Sequence, residues 1–399
     1  MLDTNKTIVT ILTASDFPDG RAPENFVREM VKGIATITGK DKIQVIRFWG
    51  NRNGCNNNTG IECVNYLFRK PFTNELAKFF ESFLQMMNVP LFLIKIKFIK
   101  KSNVLILYGI DRAYITIPMM FFCKILRIKC FRIITEIYRA EDYAYYWWRK
   151  PLVYFYNLQL RYFDRYMDGI IVLSKYLQNL CVNNGVKEKN ILLIPHFIDF
   201  RKRTKLHKIS IIDNSVFNIV YSGTITLENG VKDLVDAFIL LKAKYSLSAA
   251  LTIMGKKNSN LFTESDEKEL RKYNIIFTGS LEREDIFTVM YNSDLLVNPR
   301  RKSILADSGF PTKIGEYFST KIPVLSTSVG DLPTYFNHKR ELFFSPPDNP
   351  EAMSDMIYYI YLHKEERLLV GERGYLWGKE NLDSLKNAQK LLQFINQCT

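Results

Sequence analysis

A lysine and a glutamate stand three residues apart in the segment SGFPTKIGEYFSTKIPVLST (308–327). On a helix, this spacing places Lys313 and Glu316 on the same face. An ammonium group can bind a pyrophosphate, and an ionised carboxylate can accept hydrogen bonds from both hydroxyls of a diol such as ribose. The pair therefore fits the two ends of a nucleoside diphosphate. The alternative is an ordinary ion pair on the surface of a helix.

The residues before this pair predict where the helix begins. Gly309 and Pro311 can hold a sharp turn, and Thr312 then offers its hydroxyl as an N-cap. The unpaired N–H groups and partial positive charge of a helix start favour a phosphate. Lys313 would add a full charge in the first turn of this helix.

Apolar runs alternate with helix-length segments along most of the chain. Eleven runs predict strands, at 7–14, 42–49, 103–109, 131–137, 168–174, 217–223, 249–255, 274–279, 294–299, 322–327 and 341–346. Most lack strict apolar–polar alternation, which is typical of parallel strands covered by helices on both faces. Repeated strand–helix units predict an α/β fold with two Rossmann-like, doubly wound sheets.

The strand–helix pattern lapses in one basic segment, 199–215, which we interpret as a linker. The expected domains are an N-terminal domain over 1–198 and a C-terminal domain over 216–376. A C-terminal helix over 377–399 is expected to pack back toward the N-terminal domain. Two domains suit a chain of 399 residues. Because open parallel sheets bind ligands at the carboxyl ends of their strands, both domains are expected to face a central cleft.

The composition favours anionic partners. Lys and Arg number 55 against 41 Asp and Glu, so the net charge is +14 and the isoelectric point is near 9.3. Phosphorylated substrates, acidic lipids and nucleic acids would all suit this excess. The basic residues are dispersed and no nucleic-acid-binding module is visible, so we do not expect a nucleic-acid partner.

The cysteines and apolar stretches indicate the compartment. The six cysteines form no CxxC pair and no zinc-type cluster, which suits a reducing environment. The first residues predict a strand and not a secretion signal. The longest apolar stretch, 114–123, is roughly half of what a membrane-spanning helix needs. These features predict a cytoplasmic protein.

The segment 308–327 resembles the donor-site segment of retaining family-4 glycosyltransferases of the GT-B fold. The resemblance is greatest to enzymes of bacterial capsule, exopolysaccharide and O-antigen assembly. Other segments resemble the family in the same order along the chain, at 17–34, 168–199, 217–238 and 292–300. The family implies transfer from a nucleotide sugar, held mainly by the second domain, to a glycan or lipid-linked acceptor, held mainly by the first.

Carried over by position, Glu316 would bind the ribose and Lys313 the diphosphate. Gly223 would let the diphosphate approach the backbone closely. Gly20 and Arg21 lie in the loop that the resemblance places on the acceptor side. The donor-binding residues that it implies are Gly223, Thr224, Arg300, Ser308, Gly309, Phe310, Pro311 and Thr312, and the backbone of residues 309–311 would face the sugar.

The sequence departs from the family pattern at two places. Ser308 stands where a second glutamate is usual, with Asp307 beside it. After Gly223, Thr224 and Asn229 replace an arginine and a lysine. The missing positive charge could come from one of five other residues, namely Lys232, Lys256, Lys257, Arg300 and Arg301. We expect Arg300 because it ends a predicted strand; the alternative is a solvated basic loop.

No cofactor or metal is expected, since no Asp-x-Asp pair ends a predicted strand. Front-face attack assisted by the leaving phosphate, which is favoured for the family, needs no carboxylate nucleophile. If a general base acts, Glu136 is the candidate, because it follows a strand that should end at the cleft and because relatives in the family often have an acidic residue at this strand end. The alternative for Glu136 is a solvated glutamate at a helix start.

Two segments could lie in a membrane interface. The first, 138–166, interleaves aromatic residues, including Trp147 and Trp148, with Lys and Arg. The second is FLQMMNVPLFLIKIKFIKK, 83–101. Aromatic packing inside the first domain is the alternative. Interface binding would put the protein on the cytoplasmic face of the inner membrane, beside lipid-linked acceptors.

Two other functions remain open. The substitutions at Ser308, Thr224 and Asn229 would suit a nucleotide-binding GT-B scaffold with impaired catalysis. The net charge alone would suit a nucleic-acid-binding protein, whose affinity would fall steeply with salt.

Overall fold

The computed structural model describes residues 8–15, 17, 22–49, 61–68, 75–137, 150–201, 211–213, 215–257 and 261–398. The described chain forms two compact units. The first comprises the residues up to Phe197 together with those from Ser384 onward, and the second spans Ile198–Asp383. Each unit has its own parallel sheet, so the predicted α/β fold with two doubly wound sheets is confirmed.

The sheet of the first unit contains seven parallel strands in the order β3-β2-β1-β4-β5-β6-β7. These are β1 Val9–Thr13, β2 Ile43–Trp49, β3 Glu62–Phe68, β4 Val104–Tyr108, β5 Lys129–Ile134, β6 Gly169–Val172 and β7 Ile191–Leu193. Every residue of β1 and β4 is buried, because helices cover both faces of a parallel sheet.

The helices of the first unit follow its strands. They are α1 Ala22–Thr38, α2 Glu75–Ile94, α3 Ala113–Ile125, α4 Lys150–Tyr162, α5 Lys175–Asn183 and, from the end of the chain, α14 Ser384–Gln397. Inward residues of α2, α3, α4 and α5 share one core with the sheet. Helix α14 packs on α1, and a Cβ at Gly33 would lie 2.6 Å from the Ser384 carbonyl oxygen.

The sheet of the second unit has six parallel strands in the order β10-β9-β8-β11-β12-β13. These are β8 Phe217–Ser222, β9 Ala249–Met254, β10 Ile275–Gly279, β11 Leu295–Asn298, β12 Val324–Thr327 and β13 Phe343–Ser345. Its helices are α6 Val231–Tyr245, α7 Glu264–Leu270, α8 Arg283–Tyr291, α9 Ile304–Ser308, α10 Thr312–Phe318, α11 Leu332–Tyr335, α12 Pro350–Leu362 and α13 Lys364–Asn381. The helical region predicted from 377 onward is thus divided between α13 and α14.

A buried ion pair crosses the core of the first unit. An Nη atom of Arg132, on β5, lies 2.5 Å from an Oδ atom of Asp164, and both side chains are almost fully buried. Gln159 donates to the other carboxylate oxygen at 3.0 Å. The second guanidinium nitrogen of Arg132 lies 3.4 Å from Asp111, whose side chain is partly exposed.

Among the described cysteines, one departs from the expectation of a reducing environment. Cys63 is disulfide-bonded, whereas Cys123, Cys130, Cys181 and Cys398 are free thiols. The scattered spacing of cysteines in the sequence gave no sign of this bond, because disulfide partners need to be close only in space.

Candidate functional site

Helix α10 carries the predicted lysine and glutamate, and it begins at Thr312 as expected. Its N-cap residue is Pro311, however, and no side chain caps it. The prediction that the Thr312 hydroxyl is the cap is therefore wrong. Thr312 is already the first helical residue, whereas a capping side chain belongs to the residue before it.

Tyr317 fixes α10 against the carboxyl end of β8. Its hydroxyl accepts a hydrogen bond from the Ser222 amide at 2.9 Å and lies 3.2 Å from the Ser222 carbonyl oxygen. Lys313 precedes Tyr317 by four residues and so shares its side of the helix. The anchor therefore brings Lys313 to the end of β8, where ligands of parallel sheets bind.

Lys313 contacts Tyr221, the penultimate residue of β8. Lys313 Nζ lies 2.8 Å from the Tyr221 hydroxyl and 4.3 Å from the centroid of its ring. The hydroxyl donates its own proton to the Thr224 carbonyl at 2.8 Å. Since its proton is used, this hydroxyl can only accept from Lys313. Tyr221 thus holds the lysine in place without neutralising it.

Gly223 leaves the space that the lysine occupies. A Cβ at this position would clash with Lys313 Cε and Nζ, and the φ angle of 152° is one that other residues rarely adopt. The sequence pointed to Gly223 for the approach of a diphosphate. The structure gives a second reason for glycine, which is room for the side chain of Lys313.

The electrostatic setting of Lys313 lowers its pKa to about 7. Burial is the main cause, and the positive charge of Arg300 adds to it, while Glu316 acts in the opposite direction. Within the part of the chain that the structure describes, Lys313 forms no ion pair. Two cations therefore meet at the end of β8, an arrangement that an anion would stabilise.

Glu316 pairs with an arginine that the sequence did not point to. Arg283 Nη1, at the first residue of α8, lies 3.8 Å from Glu316 Oε1, and both side chains are partly exposed. Its position shortly after the carboxyl end of β10 could have marked it as a candidate. The alternative interpretation, a simple surface ion pair between Lys313 and Glu316, is not found among the ion pairs of the described residues.

Arg300 lies two residues beyond the end of β11. Its guanidinium donates to the Leu305 carbonyl at 3.0 Å, and its effect on the Lys313 pKa places the two charges near each other. Three of the alternative cations are engaged with carboxylates instead. Lys232 contacts Asp236, Lys257 contacts Glu267, and Arg301 contacts Asp233 and Asp348.

The end of α9 and the turn that leads into α10 contain buried side chains. Ser308 is fully buried, and the Phe310 ring is buried with its centroid 5.9 Å from that of Tyr335. Gly309 has φ −102° and ψ 150°, an extended conformation open to any residue. The chain bends at Gly309 as predicted, but this conformation does not require glycine. Asp307 accepts from the Gly330 amide at 3.0 Å.

The two substitutions after Gly223 shape the loop between β8 and α6. The Thr224 carbonyl accepts from both Tyr221 and the Asn229 amide group, the latter at 2.9 Å. Gly230 has φ 71°, and a Cβ there would clash with the Pro299 carbonyl. Asn229 therefore orders the backbone that carries the Tyr221–Lys313 contact.

Two carboxylates follow neighbouring strands of the first unit. Glu136, two residues after β5, is half-buried, and its carbonyl accepts from the Tyr156 hydroxyl at 2.8 Å. Asp111 follows β4; burial raises its pKa while Arg132 acts against the shift. Asp111 was not among the predicted residues, although its place after a buried strand was a usable signal. Gly20, Arg21, Trp147 and Trp148 lie outside the described residues.

Over the described ranges, no three or more His, Cys, Asp or Glu side chains are grouped so that they could hold a metal ion. Among the residues predicted to bind the donor, Gly223, Thr224, Arg300, Lys313 and Glu316 lie around β8 and α10. Ser308 and Phe310, also predicted to bind the donor, are buried.

Comparisons with known proteins support the fold and the general activity. Residues 216–363 match the family model described as "Glycosyl transferases group 1". No curated protein matches the chain. Anabaena HepE in complex with UDP is similar in structure, with a TM-score of 0.69 and 15% identity over 98% of this chain and 100% of that chain. HepE was also crystallised with UDP-glucose.

Two further structures share the fold. Sucrose-phosphate synthase from Thermosynechococcus elongatus has a TM-score of 0.71 and 12% identity, covering 98% of both chains. The lipopolysaccharide outer core galactosyltransferase WaaB has a TM-score of 0.65 and 12% identity, covering 98% of this chain and 100% of that chain. These likenesses show the GT-B fold. Together with the family match, they support a glycosyltransferase.

Proposed function

We propose that the chain is a retaining, metal-independent glycosyltransferase of family-4 type. It would transfer a sugar from a nucleoside-diphosphate sugar to a glycan or lipid-linked acceptor in bacterial surface polysaccharide biosynthesis. The observation that carries the proposal is Lys313, which is held at the end of β8 with a pKa of about 7. A diphosphate would supply the negative charge that this lysine lacks.

The chemistry assigns a role to each donor-side group. As the bond between the sugar and the diphosphate breaks, negative charge develops on the leaving phosphate, and Lys313 and Arg300 would stabilise it. Glu316 would accept hydrogen bonds from the ribose hydroxyls. The acceptor hydroxyl forms the new bond to the sugar on the same face and loses its proton to the leaving phosphate, or to Glu136 if a general base acts.

The names of the structural neighbours support the donor class and the biosynthetic role. HepE was crystallised with UDP and UDP-glucose, and WaaB is a galactosyltransferase of the lipopolysaccharide outer core. Neither name decides which sugar this chain transfers. A thermal-shift screen of nucleoside diphosphates and their sugars, followed by transfer assays with the donors that bind, would identify the donor and test the proposal.

Nucleoside-diphosphate binding should depend on pH through Lys313. Its pKa is about 7 in the free protein, and a bound anion would raise it. Binding should therefore be tightest below pH 7. As the pH rises above this value, Kd should increase by about tenfold per unit until the pKa of the complex is reached. Calorimetry at pH 8 in buffers of different ionisation enthalpy should detect the uptake of about one proton.

Lys313→Met is the control for this titration. It keeps a side chain of similar length and leaves the titration of the diphosphate itself unchanged. The variant should bind about 1.5–3 kcal/mol more weakly and should lose the proton uptake. Equal proton uptake by both proteins would contradict the assignment of Lys313 to the diphosphate.

A GT-B scaffold with impaired catalysis is the alternative, because Ser308 is fully buried where the family pattern has a glutamate. This scaffold would bind nucleoside diphosphates, yet neither hydrolyse nor transfer any sugar in the donor panel. Turnover of one donor would exclude it.

A further inference from the structure

Three successive helices of the first unit cover one side of its sheet. Helix α2 packs on α3, and α3 packs on α4. Their inward residues, among them Val89, Leu93 and Met119, belong to one buried core. Their outward residues form what we call the α2–α4 surface.

Helix α2 and the π-helix that continues it, Lys95–Ile99, are apolar on their outward side as well. Exposed apolar residues recur at spacings of three and four, at Leu84, Met87, Leu91, Ile94 and Phe98. Leu91 is 66% exposed and Phe98 67% exposed. A helix that covers a core normally keeps its outer face polar, so the core does not explain this stripe.

The apolar character continues on the next two helices. Phe121 and Ile125 on α3 are both more than half exposed, as is Tyr154 on α4. Lys124 Nζ lies 5.3 Å from the ring of Tyr166, just after α4. Large contiguous apolar surface of this kind marks a site of interaction.

The charges around this surface are almost all positive. From residue 84 to 129 the sequence contains eight Lys or Arg and a single acidic residue, Asp111. Lys95, Lys101, Lys124 and Arg127 are exposed. Long basic side chains can lay their methylene groups along an apolar surface while the charged ends reach outward.

We propose that the α2–α4 surface docks on an anionic lipid bilayer. Exposed apolar residues would enter the boundary between headgroups and acyl chains, and the lysines would meet the phosphates. A second copy of the chain is a poorer occupant, because two such surfaces would bring their lysines together. The inference does not rest on the nucleotide site.

The same stretch would lie on the bilayer and not cross it. None of the helices in the described part of the chain is long and apolar enough to span a membrane. The proposal draws on parts of both interface segments suggested by the sequence. It rests on 84–101 with α3 and α4, and needs nothing from residues 138–149, which lie outside the described ranges.

The test is flotation of the full chain with vesicles of phosphatidylcholine, with or without phosphatidylglycerol. The test variant combines Leu91→Gln, Phe98→Gln and Phe121→Gln. The matched control combines Leu368→Gln, Leu369→Gln and Leu376→Gln on α13 of the second unit, where the side chains are 55–56% exposed. Circular dichroism and thermal stabilisation by nucleoside diphosphates would check that both variants are folded.

The wild type and the control should float with the phosphatidylglycerol vesicles, and high salt should weaken this binding. The test variant should partition roughly tenfold less. The proposal fails if the wild type does not bind these vesicles or if the test variant binds as well as the control. It also fails if the wild type and the control are dimers and the test variant is a monomer, since the occupant of the surface would then be a second copy of the chain. Stabilisation by nucleoside diphosphates reports on the proposed function separately.

Discussion

Glu316→Ala is expected to lower kcat/KM for sugar transfer by about 100-fold or more, because a donor without its ribose contact is misplaced relative to the acceptor. Lys313 and Arg300 would still bind the diphosphate, so the nucleotide should continue to stabilise the variant. The measurement is steady-state transfer from the nucleotide sugar selected in the thermal-shift screen.

The fold should tolerate this change. Glu316 is only partly buried, and its pair with Arg283 is long at 3.8 Å. Exposed pairs of this kind contribute about 0–1 kcal/mol to stability. The matched control is Glu372→Ala, which removes a glutamate 3.0 Å from Lys321 on the surface of the same unit.

Both glutamate variants should unfold at nearly the same temperature, and only Glu316→Ala should lose activity. Normal turnover by Glu316→Ala would remove the ribose role. Equal loss by Glu372→Ala would point instead to a general effect of surface charge in this unit.

Lys313 and Glu316 have different electrostatic environments on the same helix. Lys313 is held by a neutral hydroxyl, so its charge is available to a ligand. Glu316 lies three residues further along α10, with Oε1 3.8 Å from Arg283 Nη1. A cationic end and an anionic end are thus separated on one turn of α10, as the two ends of a nucleoside diphosphate require.

The strands show what a sequence pattern can and cannot reveal. All eleven predicted runs overlap observed strands, because fully buried parallel strands are continuous apolar runs. Two strands were missed. Strand β3 lies at the edge of its sheet and includes Glu62 and Asn65, so its pattern is interrupted. Strand β7 has only three residues.

The sequence could predict the site residues that are close together in the chain, but not the contacts between residues from distant segments. Lys313, Glu316 and the start of α10 follow from spacing within seven residues. Tyr221 is 92 residues from Lys313, and Arg283 reaches Glu316 from another helix. Only the order of strands in the sheet brings these residues together, and the sequence does not state that order.

Asp164→Ala is expected to destabilise the first unit by about 3–5 kcal/mol, since it leaves the buried guanidinium of Arg132 without its closest carboxylate. Asp111 would remain 3.4 Å from Arg132, but its side chain is partly exposed and lies beside the guanidinium nitrogen that does not face Asp164. Urea denaturation of the full chain, followed by a probe in the first unit, would measure the loss.

The comparison that separates a buried charge from lost packing is a double variant, Arg132→Met with Asp164→Leu. Replacing both partners by apolar residues removes the charge and fills the space, so this protein should be more stable than Asp164→Ala. Asp355→Ala breaks an exposed pair with Lys244 at 2.8 Å and should cost less than about 1 kcal/mol. If Asp164→Ala cost no more than Asp355→Ala, the Arg132 charge would have to be solvated in the folded protein, which would contradict its burial in the core.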